Sequence, residues 1–330
     1  MPGSEVLCVG EVLWDALPAG LFLGGAPFNV ACHLRAAGLP VALVSRVGAD
    51  RLGDEALWRA AQYGLATDLV QRDAALPTGF VRVTLDPTGE AAFDIGTPAA
   101  WDAIEPTDAL LQRAAAARAV VFGTLAQRDA VTRGTIERLW NATRDTKALL
   151  VLDVNLRRPF DDPAVVRRSL QRAAVVKVTE GELRQLATWF GLPGAREPSA
   201  PPVAETVAAL AETFDCRTVC VTRGRRGAAL WRDGQWAEHP GYEVEVRDSV
   251  GSGDAFLAVV VAGLLAGVET RTLLQNASLL GAYVATQPGA VPPDQPAVGT
   301  PGAAAVAPAA PTPPNQAAGR ARGRGRRGGG

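Results

Sequence analysis

The sequence predicts an α/β protein in which helices cover both faces of a mostly parallel sheet. Apolar runs of strand length alternate along the chain with amphipathic segments of helix length. The runs are continuously apolar, as is typical of parallel strands that are buried on both faces. Hydrophobic residues make up 48% of the 330 residues and charged residues 20%, a balance typical of a globular protein. This length suits one large α/β domain or two modest ones.

The predicted strands and helices follow each other in a regular order. Strands are expected at Val6–Val9, Val41–Val44, Ala119–Phe122, Leu149–Val154, Val175–Val178, Thr218–Thr222 and Tyr242–Val246. Helices are expected at Phe28–Ala37, Asp54–Tyr63, Ala130–Thr143, Ala164–Ala173, Glu182–Phe190, Val203–Phe214, Asp254–Ala266 and Arg271–Ala285. A strand, a helix and the next strand together indicate a parallel pair joined by a helical crossover.

Two segments break this alternation and predict a small second sheet that projects from the main one. Val12–Leu23 is short and is interrupted by a proline and a glycine. Thr78–Asp94 contains two alternating strands around the turn sequence Asp86-Pro-Thr-Gly89. A further hairpin at Gly227–Glu238, which turns at Asp233-Gly234, is expected to extend the far end of the main sheet.

The C-terminal segment differs in composition from the rest of the chain. Residues 297–330 are almost entirely alanine, proline, glycine and arginine with no aromatic residue, which predicts a disordered tail. The chain carries a net charge of −1, and because the tail holds five arginines and no acid, residues 1–296 carry −6. The arginines could neutralise nucleic-acid phosphates without a fold. So few charges without aromatic residues favour a neutral extension instead.

The cysteine and histidine content, and the lengths of the apolar stretches, argue against zinc-binding, secreted and membrane-spanning classes. The four cysteines lie in or beside apolar runs without a CxxC pair, and two histidines offer few further zinc ligands. No basic segment followed by an apolar stretch marks a secretory signal. The longest apolar stretch, Ala255–Ala266, is shorter than the roughly 20 residues that a membrane span needs. Reduced thiols and a cytoplasmic location are therefore expected.

The strongest chemical signal is the segment Asp248-Ser-Val-Gly-Ser-Gly-Asp254, which opens the helix expected at 254–266. Gly251 and Gly253 allow backbone amides to converge on an anion at the helix N-terminus, where the dipole also favours negative charge. Asp254 falls in the first turn of that helix. As a structural residue it would only complement the dipole. As a general base it would take a proton from an alcohol that attacks a phosphoryl group.

A second signal lies near the other end of the chain, in Gly24-Gly-Ala-Pro-Phe-Asn-Val-Ala31. The two glycines permit a tight backbone approach to a ligand, and Pro27 suits the first turn of a helix. Asn29 would direct its amide toward a polar ligand, although a plain glycine turn into a helix explains the segment as well. Asp15 follows a buried strand and is either a turn residue or a carboxylate that accepts hydrogen bonds from sugar hydroxyls.

These two glycine segments carry a resemblance to a known family. The sequence contains no Walker A motif and no dinucleotide fingerprint, so a phosphate site must use another architecture. Residues 24–31 and 248–254 resemble the two signatures of PfkB/ribokinase-family carbohydrate kinases, the second of which usually reads D-T-x-G-A-G-D. The resemblance covers residues 4–293 and extends through Ser45-Arg-Val-Gly-Ala-Asp50, Asp153-Val-Asn-Leu-Arg157, Thr222-Arg-Gly-Arg-Arg-Gly227 and Gly281-Ala-Tyr-Val-Ala-Thr-Gln-Pro-Gly289.

The resemblance implies a ribokinase-like, Rossmann-type α/β sandwich over residues 1–293, with a small β-lid from residues 12–24 and 78–97. It implies that Asp254 is the catalytic base and that the amides of Gly251, Ser252 and Gly253 form an anion hole for the transferred phosphate. The implied sugar-binding residues are Asp15, Gly24, Gly25, Asn29, Asn155 and Arg157, the last of which is otherwise a surface arginine. The implied nucleotide-binding residues are Thr222, Gly224, Asn276 and Glu182.

The implied cofactors are ATP and Mg²⁺. The family's Asn-x-x-Glu element appears as Thr179-Glu-Gly-Glu182, so Glu182 is kept as a magnesium residue acting through water, while Thr179 replaces the asparagine. Ser252 replaces the commoner alanine, a small change that should keep the amides in place. Asp248 and the carbonyl group of Val250 match a monovalent-cation site of some members, which leaves the use of potassium open.

Gly10-Glu-Val-Leu-Trp-Asp15, Phe122-Gly-Thr-Leu-Ala-Gln-Arg128 and Asp153-Val-Asn-Leu-Arg157 look most like bacterial fructokinases. The resemblance therefore implies ATP-dependent phosphorylation of D-fructose at its 6-hydroxyl. A related kinase for ribose, a 2-keto-3-deoxy sugar acid or a nucleoside remains open. So does a catalytically silent scaffold with an RNA-binding tail, although the intact Asp254 and glycine segment argue against it. Exposed lid strands also predict a homodimer through the lid.

Overall fold

The computed structural model describes residues 5–17, 20–85, 91–193 and 203–296. The predicted tail at 297–330 and the predicted turn at 86–89 lie outside the described residues. The strands are β1 (Val6–Val9), β2 (Leu13–Leu17), β3 (Gly20–Gly24), β4 (Val41–Gly48), β5 (Val70–Asp73), β6 (Gly79–Leu85), β7 (Ala91–Ile95), β8 (Ala119–Gly123), β9 (Leu149–Asp153), β10 (Val175–Thr179), β11 (Thr218–Thr222), β12 (Ala228–Arg232) and β13 (Gln235–His239). The helices are α1 (Ala26–Ala36), α2 (Arg51–Gln62), α3 (Asp108–Ala116), α4 (Ala130–Ala142), α5 (Pro163–Leu170), α6 (Glu180–Phe190), α7 (Val203–Phe214), α8 (Ser252–Ala266) and α9 (Thr270–Ala285).

The main sheet has nine strands in the order β13-β12-β11-β10-β9-β8-β1-β4-β5. The strands from β11 to β5 pair in parallel, and only β12 and β13 are antiparallel to their neighbours. This arrangement confirms the predicted parallel sheet and the hairpin at its far end. Because the parallel strands run in the same direction, the residues that follow their carboxyl ends meet along one edge of the sheet.

Helices cover both faces of this sheet, which explains why its central strands are largely apolar. In β1, Val6 and Cys8 face the layer formed by α1, α2, α8 and α9. Leu7 and Val9 face the opposite layer, formed by helices α3 to α7. All four of these residues are fully buried. The alternation of side chains therefore places apolar groups in two cores at once.

The two segments that interrupt the main pattern form a second sheet of four strands, in the order β3-β2-β6-β7. Strands β2 and β3 are an antiparallel pair from the first segment, and β6 and β7 are an antiparallel pair from the second. The two pairs join through β2 and β6, where Leu13 lies opposite Gly79. The predicted second sheet is present, and β2 connects it directly to the end of β1.

The structure differs from the sequence-based expectation at three elements. Tyr242–Val246 belongs to no strand. Its apolar residues alternate with exposed acids beyond the edge strand β13, and among the described residues no further strand pairs with them. Strand β5 and helix α3 were not predicted. Three of the four residues of β5 are polar, and α3 begins where the Thr107 side chain accepts a hydrogen bond from the Leu110 amide. Neither element has a strong apolar pattern: pairing with β4 defines β5, and the Thr107 cap marks the start of α3.

Two further observations concern the predicted class of protein. No helix in the described part of the chain is long and apolar enough to cross a membrane. The four cysteines are free thiols, and all are buried. Burial raises the pKa of the Cys216 thiol to about 12, so it stays protonated near neutral pH.

Candidate active site

The candidate site lies at the carboxyl ends of the parallel strands, where ligands bind in open α/β sheets. Strand β1 leads into Glu11 and Asp15, and β9 leads into Asn155 and Arg157. The N-termini of α1 and α8 are brought together at the same place. The structure therefore collects residues from the start, the middle and the end of the chain.

The predicted anion cradle lies at the N-terminus of α8, and its role in binding a phosphate remains a prediction. Gly251 precedes the helix in the left-handed region, with φ of 78°, and a Cβ atom added there would collide with Ala290. Glycine is therefore required at this position on both conformational and steric grounds. The Ser252 amide donates to the Ser249 carbonyl oxygen at 3.4 Å, and the amides of Gly253 and Asp254 lie in the first helical turn, where a helix offers donors to an anion. The Ser252 hydroxyl is buried and has no hydrogen-bond partner, so it is a further polar group at the cradle.

Asp254 lies in the first turn of α8 and is hydrogen-bonded to the other glycine segment. The Asn29 Nδ2 atom donates to the Asp254 Oδ2 atom at 2.8 Å. The Asn29 Oδ1 atom is buried and has no partner. Burial raises the pKa of the Asp254 carboxyl above its ordinary value, although the Lys177 charge and the Asn29 hydrogen bond act in the opposite direction. A carboxylate with a raised pKa beside an anion cradle is suited to accept a proton.

Gly25 holds the start of α1 close to the loop that follows β1. Its φ is 108°, and a Cβ atom there would collide with the backbone carbonyl oxygen of Glu11. A Cβ atom at Gly24 would lie 2.5 Å from the Asp15 Oδ2 atom. Helix α1 begins at Ala26, two residues before the predicted start, with Pro27 in its first turn. The two glycines thus allow Asp15 and Glu11 to approach the beginning of α1.

Two acids from the Gly10–Asp15 segment face the site, and only Asp15 was singled out from the sequence. Burial raises the pKa of Glu11 to about 7 and the pKa of Asp15 to about 6. The Arg157 charge lowers both pKa values and the Asp254 charge raises both, so all four residues are close enough to interact. Glu11 is 2% exposed and its Oε2 atom has no hydrogen-bond partner. The sequence signal for Glu11 is an acid next to a fully apolar strand.

The segment after β9 brings Asn155 and Arg157 toward the same carboxylates. Asn155 adopts a left-handed conformation with φ of 40°, which is uncommon for a residue other than glycine. The next amide, that of Leu156, donates to the Glu182 Oε1 atom at 2.7 Å. Arg157 is partly buried, and its charge lowers the pKa of the Asp254 carboxyl. Arg157 therefore lies near the carboxylates of the candidate site, and its role in binding a sugar remains a prediction.

A buried ion pair that sequence reasoning missed lies beneath the cradle. The Lys177 Nζ atom lies 2.9 Å and 3.1 Å from the two carboxylate oxygens of Asp153. A Cβ atom added at Gly253 would lie 3.0 Å from that Nζ atom, so the ammonium group contacts the first turn of α8. The available signal was a lysine inside the apolar strand 175–179, in a sequence with two lysines and 31 arginines.

The predicted nucleotide-binding residues lie beside this centre. Thr222 ends β11, and Gly224 follows in the left-handed region with φ of 57°. Asn276 is partly buried in α9, which packs against β12 and β13, the hairpin that follows Gly224. Thr222 and Gly224 therefore lie at the carboxyl end of β11. The nucleotide-binding role of Thr222, Gly224 and Asn276 remains a prediction.

The predicted metal residues already hold local structure. The Glu182 Oε2 atom accepts a hydrogen bond from the Thr179 amide, while its Oε1 atom accepts the bond from Leu156 described above. Asp248 accepts hydrogen bonds from the amides of Val250 and Gly289, at 3.0 Å and 3.2 Å. Within the described residues, no group of three or more His, Cys, Asp or Glu residues could hold a metal ion. Roles for Glu182, Asp248 and Val250 in binding ions remain predictions.

The three-layered α/β/α sandwich, the second sheet and the acid in the first turn of α8 are the features expected of a phosphotransferase of the ribokinase-like class. The family model for "pfkB family carbohydrate kinase" matches residues 19–297, most of the chain. The chain belongs to this family of carbohydrate kinases. The resemblance drawn from the glycine segments is confirmed, as is the expectation of a kinase.

Comparison with individual proteins agrees with this assignment. The chain is 28% identical over 288 residues to a fructokinase from Klebsiella pneumoniae, covering 84% of this chain and 88% of that protein. It superposes on the crystal structure of fructokinase with bound ATP from Xylella fastidiosa with a TM-score of 0.76 at 23% identity, covering 88% and 94% of the two chains. For a Vibrio cholerae fructokinase double mutant with fructose, ADP and potassium bound, the TM-score is 0.72 at 22% identity, covering 88% and 94%. These structures confirm the predicted fold.

Proposed function

We propose that the protein transfers the γ-phosphoryl group of ATP to the 6-hydroxyl of D-fructose, with Asp254 as the general base. The observation that carries this proposal is the hydrogen bond between Asn29 and Asp254 at the start of α8. It joins a residue that can bind a sugar hydroxyl to a carboxylate that can accept the hydroxyl proton. The amides of the anion cradle lie in the same helical turn as that carboxylate.

The chemistry follows from these neighbouring groups. Asp254 would accept the proton of the sugar hydroxyl while the oxygen attacks phosphorus and the bond to ADP breaks. The amides of Gly251, Ser252 and Gly253 would stabilise the negative charge on the transferred group. The second sheet would close over the sugar and exclude water, which otherwise competes as the phosphoryl acceptor.

The sugar-binding residues of the proposal combine acceptors and donors. Asp15 and the unpartnered Oδ1 atom of Asn29 can accept hydrogen bonds from sugar hydroxyls. Asn155 and Arg157 supply donors from the opposite side, at the end of β9. Gly24 and Gly25 let Asp15 and the Glu11 backbone lie close to the start of α1, because a side chain at either position would collide with them. The fructokinase identity of the similar proteins supports fructose as the acceptor.

ATP would lie between the cradle and the surface formed by Thr222, Gly224 and Asn276. The cradle fits a phosphate, since Gly251 has no room for a side chain and the Ser252 hydroxyl lacks a partner. Mg²⁺ would supply charge neutralisation on the phosphates, and Glu182 would hold it through water. Asp248 and the Val250 carbonyl would hold a monovalent cation. The presence of ATP or potassium in similar structures supports these assignments.

Substitution of Asp254 tests the proposal. We expect Asp254→Asn to lower kcat by at least three orders of magnitude, because the amide keeps the size of the carboxyl group but cannot accept the proton. Binding of fructose and ATP, measured by calorimetry, should change by a few fold at most. Asp54→Asn is the matched control, since Asp54 is an acid in the first turn of α2. A near-normal kcat for Asp254→Asn would exclude Asp254 as the base.

The substrate is tested separately with purified acceptors and direct detection of ADP. Fructose should give the highest kcat/KM in a panel that includes ribose, a 2-keto-3-deoxy sugar acid and adenosine. The acid would require a dedicated cation, for which Arg157, near Asp15 and Glu11, is the candidate. A preference for the acid or for adenosine would overturn the assignment to fructose but not the assignment to the family.

A further inference from the structure

The buried ion pair formed by Lys177 and Asp153 is not explained by its contribution to the stability of the fold. Both side chains are almost completely buried, with exposed fractions of 6% and 4%. They lie directly opposite each other on β10 and β9, two adjacent strands of the main sheet. Replacing a buried ion pair with well-packed apolar residues is often neutral or stabilising, because both charges lose their hydration. Stability alone therefore gives little reason to place a charged pair here.

The position of the pair links it to the candidate catalytic centre. The Lys177 side chain lies on the face of the sheet that α8 covers, and its ammonium group contacts the first turn of α8 at Gly253. That glycine precedes Asp254. Asp153 is the last residue of β9, two positions before Asn155. The pair is thus placed between the proposed base and the segment that carries the proposed sugar donors.

The charges around Lys177 are predominantly negative. Burial alone would lower its pKa, but the charges of Asp153, Glu182 and Asp254 raise it above the ordinary value, so the ammonium group stays protonated. Of the charges that lower the pKa of Asp254, that of Lys177 acts most strongly. The other groups that interact with Asp254 come from α1, β2, β9 and the loops after β1 and β9: Asn29, His33, Glu11, Asp15, Asp153 and Arg157.

Lysine rather than arginine at this position is also informative. The sequence uses arginine for 31 of its 33 basic residues. The second lysine, Lys147, is exposed. At 177 the cation fits against the position where Gly253 lacks a side chain, with 3.0 Å to the place of its Cβ atom. A compact ammonium group can occupy that space, whereas a planar guanidinium group needs more room.

We infer that Lys177 is a positioning residue that keeps Asp254 ionised beneath the anion cradle, and that Asp153 holds and partly offsets its charge. This inference rests on the proposed role of Asp254 as the general base. The ammonium group would favour the carboxylate form of Asp254 when a phosphate approaches the same helical turn. It would also add positive charge to the N-terminus of α8. Both effects would raise kcat and would leave the binding of the sugar largely unchanged.

The inference predicts opposite shifts of the pH profile for the two partners. Lys177→Met removes a positive charge near Asp254, so the acidic limb of kcat against pH should move to higher pH, by about one pH unit. Asp153→Asn removes a negative charge and leaves the lysine, so the limb should move to lower pH. The double variant should fall between the two single variants. The KM for fructose should change less than kcat in each case.

The experiment measures ADP release by the full chain with fructose and ATP between pH 5 and 9. Lys147→Met is the matched control and should leave the limb in place. Lys177→Arg keeps the charge and should keep the limb near its original pH, even if crowding lowers kcat. If Lys177→Met does not fold, comparison of Asp153→Asn with the double variant isolates the same lysine charge.

The outcomes separate this inference from the proposed function. An inactive Asp254→Asn enzyme together with an unmoved limb in Lys177→Met would overturn the role of Lys177 alone. The role of Lys177 would also be overturned if the two single variants lowered only the melting temperature. It would be overturned as well if both variants shifted the acidic limb of kcat against pH in the same direction. An active Asp254→Asn enzyme would overturn both the general base and the lysine that acts through it.

Discussion

At the scale of single residues, the candidate site concentrates buried acids with few cations. Glu11, Asp15 and Asp254 all have pKa values raised by burial, and Arg157 and Lys177 offset part of this cost. Backbone hydrogen bonds from Glu11 and Ala26 lower the pKa of the Glu11 carboxyl, yet its buried Oε2 atom has no partner, which is unfavourable. Such local cost is typical of a site built for a polar ligand, because the ligand supplies the missing hydrogen bonds.

The Glu11 carboxyl should make the stability of the protein depend on pH. Its pKa rises from 4.5 in the unfolded chain to about 7 in the fold, so the folded state binds the proton more tightly. The unfolding free energy should therefore fall as pH rises through this range, by roughly 3 kcal/mol in total. Glu11→Gln removes the ionisation, so we expect the variant to be more stable than the original protein at pH 8. The difference should shrink toward pH 5.

Urea denaturation without ligands at pH 5 and pH 8 measures this effect. Glu245→Gln is the control, because Glu245 is exposed, and its difference from the original protein should not vary with pH. A Glu11→Gln variant that is less stable than the original protein at pH 8 would show that the ionised carboxylate is paired in the folded state. Such a result would argue against Glu11 as an unpartnered acceptor.

The sequence alone indicated part of this site. Asp254 and Asn29 stand in glycine segments whose composition already points to an anion and a polar ligand, and the structure brings them to 2.8 Å. Glu11 and Lys177 could not be assigned, because a single charged residue in an apolar segment has no partner that sequence identifies. Only the fold places Lys177 opposite Asp153 and against Gly253.

At the scale of elements, the start of α6 shows how a departure from the family pattern is accommodated. Thr179 is the N-cap residue, and its hydroxyl accepts a hydrogen bond from the Glu182 amide at 3.2 Å. Glu182 completes a capping box by accepting from the Thr179 amide, and it also holds Leu156. Threonine therefore keeps the helix start that asparagine would provide, since both residues are good N-caps.

Substitutions at Thr179 separate capping from ion binding. Thr179→Ala should lower the unfolding free energy by about 1 kcal/mol, because the Glu182 amide loses its acceptor. Thr179→Asn should leave it unchanged within about 0.5 kcal/mol. If the family's asparagine helps to organise magnesium, Thr179→Asn should also lower the Mg²⁺ concentration that gives half-maximal activity. Urea denaturation and a magnesium titration measure the two effects, and an unchanged titration would confine position 179 to capping.

The elements that sequence predicted are those with strong local patterns. Most of the parallel strands are rich in apolar residues because both of their faces are buried, and the two segments of the second sheet interrupt the regular order of strands and helices. Strand β5 lies at the edge of the main sheet, where polar residues are tolerated. The stretch 242–246 has the right alternation but no neighbouring strand. The missed strand β5 and the wrongly predicted strand at 242–246 have the same cause, because a local sequence pattern does not show whether a neighbouring strand is present.

At the scale of the whole molecule, the second sheet has two unlike faces. In β2, Asp15 lies opposite Phe22 and Val81, so these three residues share the face that carries the candidate sugar residue. The opposite face includes Leu21, which lies opposite Ala16, and Phe80, which lies opposite Trp14. Leu21 and Phe80 are 40% and 36% exposed. Exposed apolar residues on one face of a small sheet are typical of a surface that binds another protein.

This face favours a homodimer formed through the second sheet, and β3 offers an edge strand for the same contact. We expect the protein to sediment as a dimer at micromolar concentration. Leu21→Arg/Phe80→Arg should convert it to a monomer, because two charges would be buried without partners on each side of the interface. Val131→Arg is the control, since Val131 is a 47% exposed apolar residue on α4, away from the second sheet, and should leave the dimer intact. A monomeric original protein, or a double variant that still dimerises, would contradict the prediction.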